Sequence, residues 1–371
     1  MNVFKYKLNV KKLLSIIKVS FYTFVIIILL TSKFTYLNLL RKILLPIVPV
    51  YYLVTWLRNK LYDLGIKKSI SYNFPVIAVG NLSVGGTGKS PMVEYLIRLL
   101  KDKVVLATLS RGYKRETKGF QLVQTDSTAK EVGDEPLQFK TKFSNILVAV
   151  DGDRRNGISR LKKLNSDPEV VLLDDAYQHR KVKAGFYILL TPYYDLYCDD
   201  IVLPTGNLRE PRKGANRADI IVVTKCPHDL GEQAQKKIIK KLKVKDSQTL
   251  LFATIDYGSD IVNTSGKRSL ETLKGISFTL VTGIANPKPL VDYYHSLGFD
   301  FTHINYPDHH NFTDTELSQL KQHACIITTE KDYVRLVSNF SQDVLWYQPI
   351  EMKFIKNQEV FDKSILSYIK K

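Results

Sequence analysis

The sequence predicts an α/β protein, and three observations carry that prediction. Short runs of almost wholly apolar residues (Phe74–Gly80, Val104–Leu109, Glu169–Asp174) read as strands buried on both faces of a parallel sheet. The first of them is followed by Met92, Tyr95, Leu96, Leu99 and Leu100, apolar positions at helical spacing. Glycine and acidic residues gather where these strands end, which is where α/β sheets place their ligand sites.

At 371 residues the chain is long enough for two cores, so two domains are expected. Net charge is +18, but residues 1–68 hold twelve Lys and Arg against one acid, Asp63, and so carry +11 of it. The basicity therefore sits at the most apolar end of the chain. That pairing fits an anionic membrane surface and argues against nucleic acid as the partner. The cysteines (Cys198, Cys226 and Cys325) lie far apart without metal-ligand spacing. They read as small core residues of a protein from a reducing compartment, with neither a disulfide framework nor a zinc site.

Two apolar stretches open the chain, Leu13–Leu30 and Ile43–Leu57. The first is barely long enough to span a bilayer, which takes about 20 residues, and no small-residue cleavage site follows it. The second contains Pro46 and Pro49 and ends in Trp56 and Arg58, features of a helix lying in the membrane interface. A spanning helix, an interfacial anchor and an uncleaved signal-like segment are the membrane readings, with the interfacial one preferred. A helix buried on the protein's own core is the other.

The strand Phe74–Gly80 runs into Asn81-Leu82-Ser83-Val84-Gly85-Gly86-Thr87-Gly88-Lys89-Ser90. Glycines here let backbone amides curl around phosphate oxygens at a helix N-terminus. Lys89 reaches the β- and γ-phosphates, and the Ser90 hydroxyl serves Mg²⁺. Residues 83–90 are thus the expected ATP cradle, a P-loop whose usual first glycine is Ser83. A second carboxylate is needed on a neighbouring strand end, and the strand Glu169–Leu173 supplies Asp174 and Asp175. Adjacent acids repel unless a cation compensates, which again suggests Mg²⁺. The strand ending in Thr224-Lys225 begins like a guanine-reading loop, but Pro227 stands where the base-binding acid belongs, which favours ATP.

Further charged segments lie at strand ends: Ser110-Arg111-Gly112-Tyr113, Gly133-Asp134-Glu135-Pro136, Asp153-Arg154-Arg155, Asn207-Leu208-Arg209-Glu210-Pro211, Pro307-Asp308-His309-His310 and Thr328-Thr329-Glu330-Lys331-Asp332. With these motifs in this order, the chain from about Leu39 onward resembles the tetraacyldisaccharide 4′-kinase (lipid A 4′-kinase) family. Residues 1 to about 35 extend beyond the family pattern.

The resemblance implies transfer of the ATP γ-phosphate to the 4′-hydroxyl of a tetraacylated glucosamine disaccharide 1-phosphate, forming lipid IVA at the cytoplasmic face of the inner membrane. It implies two α/β/α domains joined by a short β-ribbon, with the site between them. It assigns Lys89 and Ser90 to phosphates and Mg²⁺, Asp174, Asp175 and Glu210 to the metal, and Tyr113 and Arg154 to the phosphates, with Arg155 as the competing arginine. It assigns Asp134 and His309 to deprotonation of the sugar hydroxyl. A hydroxyl acceptor calls for a base, and histidine beside a carboxylate suits that role at neutral pH. Lying about 175 residues apart, the two are expected to meet only when the cleft closes, with His310 the next candidate base.

The resulting expectation is a membrane-associating segment over 1–68, a P-loop kinase domain over 69–225, and a smaller α/β domain over 226–371. The smaller domain is built on strands near 250–257, 278–284, 325–329 and 343–347, and its last helix is free to return to the first domain. The basic run Lys236–Lys245 reads as a solvated face. No obligate protein partner is expected. The rival readings are a P-loop kinase of another sugar or lipid, and a membrane-bound ATP-dependent switch. A switch needs no acceptor base, and a soluble-sugar kinase needs no membrane-seeking helix.

Overall fold

The computed structural model describes residues 41–370, so the stretch Leu13–Leu30 lies outside the described residues. Nine strands form the first sheet: β1 (Val76–Asn81), β2 (Leu106–Ser110), β3 (Gln121–Leu122), β4 (Leu147–Val150), β5 (Val170–Asp174), β6 (Phe186–Pro192), β7 (Ile220–Thr224), β8 (Thr249–Tyr257) and β15 (Ile350–Phe354), in the order β15-β8-β7-β6-β1-β5-β2-β4-β3. β1 lies between β5 and β6, parallel to both. Its residues are buried throughout, because helices cover both faces and leave no solvent side for polar alternation.

The second sheet has six strands: β9 (Asp260–Val262), β10 (Lys267–Ser269), β11 (Phe278–Thr282), β12 (Phe301–Asn305), β13 (Ile326–Thr329) and β14 (Leu345–Gln348). Its parallel centre, β14-β13-β11-β12, gives the chain a second, smaller α/β unit. The strand expected to found that unit, 250–257, instead pairs with β7 and β15 and extends the first sheet. β8 and β15 run antiparallel and lead out to β9 and back from β14. The connection between units is therefore a two-stranded extension of the first sheet. The C-terminal helix also returns: Phe361 and Ile365 are buried in the core formed by Met92, Leu96 and Leu100.

Helix α1 (Val48–Asp63) contains no buried residue. Helix α2 (Lys89–Leu100) buries Met92, Val93, Leu96, Ile97 and Leu100 against the first sheet. Among the described residues no helix is long and apolar enough to cross a membrane. Cys226 and Cys325 are buried, Cys198 is half-buried, and none is bridged. The remaining helices are α3 (Ala129–Val132), α4 (Asp134–Lys142), α5 (Arg154–Leu161), α6 (Glu232–Leu242), α7 (Lys288–Ser296), α8 (Asp314–Leu320), α9 (Glu330–Leu336) and α10 (Gln358–Ile369). α6 presents its lysines outward, with Ile238 and Leu242 packed inward.

Helices α4 and α9 join the two units through a buried polar cluster. Gln138 donates to Glu94 and Glu330 at 2.8 and 2.7 Å, and Lys142 donates to the same two carboxylates at 2.6 Å each. Charges taken out of water persist only with such pairing.

Candidate active site

β1 delivers the chain to the site. Its register pairs Val79 with Asp174, so the end of β5 comes level with the start of the glycine-rich turn. Gly88 caps α2 with φ +87°, a conformation that costs glycine little. Thr224 at the end of β7 donates to the Thr87 carbonyl at 2.8 Å. Val84 is held by the Asn207 carbonyl at 2.8 Å, and buried Ser83 bridges to Leu208. The turn is thus tied down from two sides while Gly85 and Gly86 stay exposed, with the positive end of α2 behind them.

At the base of α2, Lys89 lies 3.8 Å from Asp175 and the Ser90 hydroxyl donates to Glu135 at 3.0 Å. Asp174 is buried and accepts from Ser110 at 3.2 Å through one oxygen, while Oδ1 has no partner. Burial, with the charges of Glu135 and Asp175 added, pushes the Asp174 carboxyl well above the usual carboxylate range. Asp175 is engaged: Arg209 donates to both its oxygens at 2.9 Å. Of the three carboxylates assigned to a metal, only Asp174 presents an unpartnered oxygen.

Glu210 is held by several partners. It is buried, and its oxygens accept from Arg217 at 2.7 and 3.1 Å, Gln178 at 3.1 Å and Asn59 at 2.5 Å. A carboxylate so engaged organises its loop in this arrangement.

The two neighbouring arginines separate clearly. Arg155 is paired with Asp153 at 2.7 Å on the surface. Arg154 is buried and donates to the carbonyls of Asp151 and Asp174 at 3.0 and 3.4 Å, with Nε unpartnered. Burial lowers its guanidinium to about 10 against the pull of Asp174 and Asp175.

Asp134 and His309 are in contact: Nδ1 of the imidazole lies 2.8 Å from Asp134 Oδ2. The contact expected on closure of the cleft is present in this arrangement. His309 follows β12 with φ +59°, and its amide donates to Gly283 O at 3.0 Å. Tyr113 is exposed and meets the His309 ring edge-on at 5.8 Å between centroids. His310 is otherwise occupied, bonded to Glu316 at 2.9 Å and stacked on Tyr306.

Three residues without an assigned role join these parts. Glu135 accepts from both Ser90 and Lys331, the latter at 2.9 Å. Although burial works against it, the charges of Lys331 and Lys89 hold this carboxyl low, at about 2. Arg335 donates to both oxygens of Asp134, at 3.0 and 2.6 Å. Glu135 was legible as a neighbour of Asp134 in one motif, and Lys331 lies in another. Arg335 carries no local signal, being a single cation on a short helix.

A family model described as Tetraacyldisaccharide-1-P 4'-kinase matches residues 40–370. A Flavobacterium johnsoniae protein named tetraacyldisaccharide 4'-kinase is 55% identical over 337 residues, covering 90% of this chain and 98% of its own. A Bacteroides thetaiotaomicron protein of the same name is 41% identical, covering 89% and 94%. Among solved structures, LpxK from Aquifex aeolicus in complex with ATP superposes with a TM-score of 0.72 at 30% identity, covering 89% of this chain and 99% of that one.

Proposed function

The chain belongs to the tetraacyldisaccharide-1-P 4′-kinase family, and from that premise we propose how its residues perform the reaction. The protein is a kinase that transfers the γ-phosphate of ATP to the 4′-hydroxyl of a tetraacylated glucosamine disaccharide 1-phosphate, giving lipid IVA. The observation that carries the assignment of roles is the adjacency of Asp134 and Glu135. One touches the base, His309, and the other touches the P-loop hydroxyl, Ser90.

The amides of residues 83–90 and the N-terminus of α2 bind the phosphates, and Lys89 and Arg154 set positive charge where negative charge spreads during transfer. Lys89 leaves Asp175 for the nucleotide, and Arg209 keeps that carboxylate compensated. His309 takes the proton of the 4′-hydroxyl on Nε2, and Asp134 stabilises the imidazolium that forms. Tyr113 borders the space where hydroxyl and γ-phosphate meet.

The free oxygen of Asp174 and the Ser90 hydroxyl fit a Mg²⁺ carried in with the nucleotide. No group of three or more His, Cys, Asp or Glu among the described residues forms a cage, and a nucleotide-borne ion needs only one or two carboxylates. When bound, it neutralises charge on the β- and γ-phosphates.

Helix α1 supports a peripheral site of action at an anionic membrane. Val50, Leu53, Val54 and Leu57 form an exposed apolar stripe. On another face, Tyr51 bonds the Arg209 carbonyl at 3.0 Å and Asn59 bonds Glu210. The stripe thus lies one helix width from the loop that braces Asp175, where an acylated substrate would leave its bilayer.

Purified protein incubated with Mg-ATP and tetraacyldisaccharide 1-phosphate in detergent is expected to give a bis-phosphorylated product, and His309→Ala to give almost none. ATP hydrolysis without that product would instead favour a nucleotide-dependent switch. A near-normal rate in His309→Ala would reassign the base.

A further inference from the structure

We propose that Arg335 is a positioning residue for phosphoryl transfer, fixing the plane of Asp134 and the tautomer of His309 so that Nε2 faces the acceptor. The proposal deepens the reading of Asp134 and His309 as the deprotonating pair and rests on it.

Arg335 lies on α9, 201 residues from Asp134, with its side chain only 8% exposed. Nε and Nη2 reach Oδ1 and Oδ2 of Asp134 in a fork-to-fork pair at 3.0 and 2.6 Å. Such a pair fixes the carboxylate plane as well as its charge. Nη2 also lies 3.1 Å from His309 Nδ1. A guanidinium only donates, and an ionised carboxylate only accepts. For a neutral imidazole one proton assignment satisfies the two shorter contacts: Arg335 Nη2 and His309 Nδ1–H both donate to Asp134 Oδ2, and the 3.1 Å approach of the two nitrogens is that of two donors sharing one acceptor. The proton is then held on Nδ1, and the lone pair of Nε2 is left for the substrate hydroxyl.

The same helix also holds the histidine loop. Nη1 of Arg335 donates to Asp332 at 3.2 Å and to the His310 carbonyl at 3.4 Å. Asp332 is fully buried and accepts from the Gly283 amide at 2.8 Å and the Thr329 hydroxyl at 2.7 Å. Gly283 in turn accepts from the His309 amide. A side chain at 283 would meet Asp332 at 2.8 Å, so only glycine lets this loop approach so closely. Among the described residues Arg335 is thus the one side chain bonded to the acid, bonded to the loop and in contact with the imidazole.

The charges around the imidazole fit this arrangement. Asp134, Asp332 and Asp308, the last 4.0 Å from Nε2, together with Glu135 outnumber the cations Arg335 and Lys331, the second of which is paired with Glu135 and acts on Asp134 and Asp308. An imidazolium formed by proton transfer therefore meets a net negative surrounding. Without Arg335, the Asp134 carboxylate is free to rotate and the imidazole loses its single orientation. Misplacement by about 1 Å costs roughly 10²-fold in rate.

The test uses the full chain with saturating Mg-ATP and lipid acceptor, comparing Arg335→Gln, Arg335→Lys, Asp134→Asn and the Asp134→Asn/Arg335→Gln double variant, with melting curves for each. Arg335→Gln is expected to lose about 10²-fold in kcat with KM for ATP unchanged. Arg335→Lys, keeping the charge without the fork, should recover part of that loss, and the double variant should be little worse than Asp134→Asn. Normal kcat in both Arg335 variants would overturn the proposal. So would additive losses, or equal losses in both variants matched by equally lowered melting temperatures. Should Arg335→Gln fail to fold, Arg335→Lys decides alone, through lowered kcat at unchanged KM. His309→Ala is the separate control: if it keeps its rate, the base assignment fails, whereas loss in His309→Ala with none in Arg335→Lys fails only the present inference.

Discussion

Helices α1 and α2 are both rich in apolar residues and opposite in how they use them. α2 buries eight of its twelve residues between the first sheet and the C-terminal helix. α1 has a comparable supply of Val, Leu, Tyr and Trp and buries none of its sixteen. Its polar face holds the protein instead: Tyr51 and Asn59 reach the Arg209–Glu210 loop, and Arg58 donates to the Gln178 carbonyl at 2.9 Å. An apolar face is stabilised only by removal from water, and nothing among the described residues removes that of α1. The difference teaches that α2 is a helix of the fold, whereas α1 presents an apolar stripe that the membrane attachment proposed above would cover.

The largest effects should fall on α2. Leu96 is fully buried, and Leu96→Ala should cost about 2–5 kcal/mol of stability, the transfer term plus a cavity, measurable by denaturant unfolding. A loss below 1 kcal/mol would show that α2 is less committed to the core than its burial indicates. At the head of the same helix, Lys89→Ala should lower kcat by roughly 10²–10³-fold while the melting temperature stays close to normal. The carboxylate partner of Lys89, Asp175, retains Arg209. Full activity in this variant would remove the phosphate role from the P-loop lysine.

Much of this was legible in the sequence, and what was not shares one physical cause. The phosphate turn and the acids ending β5 are local patterns whose chemistry follows from residue type and spacing, whereas the role of His309 came with the family resemblance. The strand 249–257 was legible as a strand, but its partner was not. Alternation and apolarity report burial, and an edge of the first sheet buries a strand as well as the centre of the second. The pairing of Glu210 with Arg217 was hidden in the same way, because Arg217 reaches it only through the short helical turn over Arg212–Arg217. Arg335 was illegible because its partner stands 201 residues away.

A smaller effect should follow pH, at the head of α4. Asp134, buried enough to be raised, is brought down to about 2 by hydrogen bonds from His309 and Arg335. A carboxyl held lower in the folded chain than its ordinary 3.8 stabilises the fold at every pH above that ordinary value. The contribution then fades as pH falls through about 2. The separation corresponds to about 2 kcal/mol. Asp134→Asn should therefore be less stable than the parent by about that amount at neutral pH, and the two unfolding curves should converge as pH is lowered toward 2. A difference that stays constant down to pH 2 would show that packing, not ionisation, carries the contribution of Asp134.

The smallest effect on stability sharpens the comparison most. Leu53 and Val54 are 58% and 60% exposed, so replacing both with Asn removes little from the folded state. Stability should move by no more than about 0.5 kcal/mol per site. Membrane binding should respond quite differently. Each of these side chains buries roughly 1.5–3 kcal/mol of apolar surface on entering an interface, beside cations that add about 1 kcal/mol apiece near anionic lipid. In a chain lacking residues 1–35, so that the earlier apolar stretch contributes nothing, the double variant should dissociate from phosphatidylglycerol vesicles in a sedimentation assay. Turnover of detergent-dispersed acceptor should be kept, because Tyr51, Arg58 and Asn59 still hold α1 against the catalytic loops. Turnover of acceptor embedded in vesicles should fall. Unchanged sedimentation would give the apolar stripe of α1 some other partner. A large loss of stability would mean that the stripe is covered by the protein itself, and the contrast between α1 and α2 would collapse into two core helices.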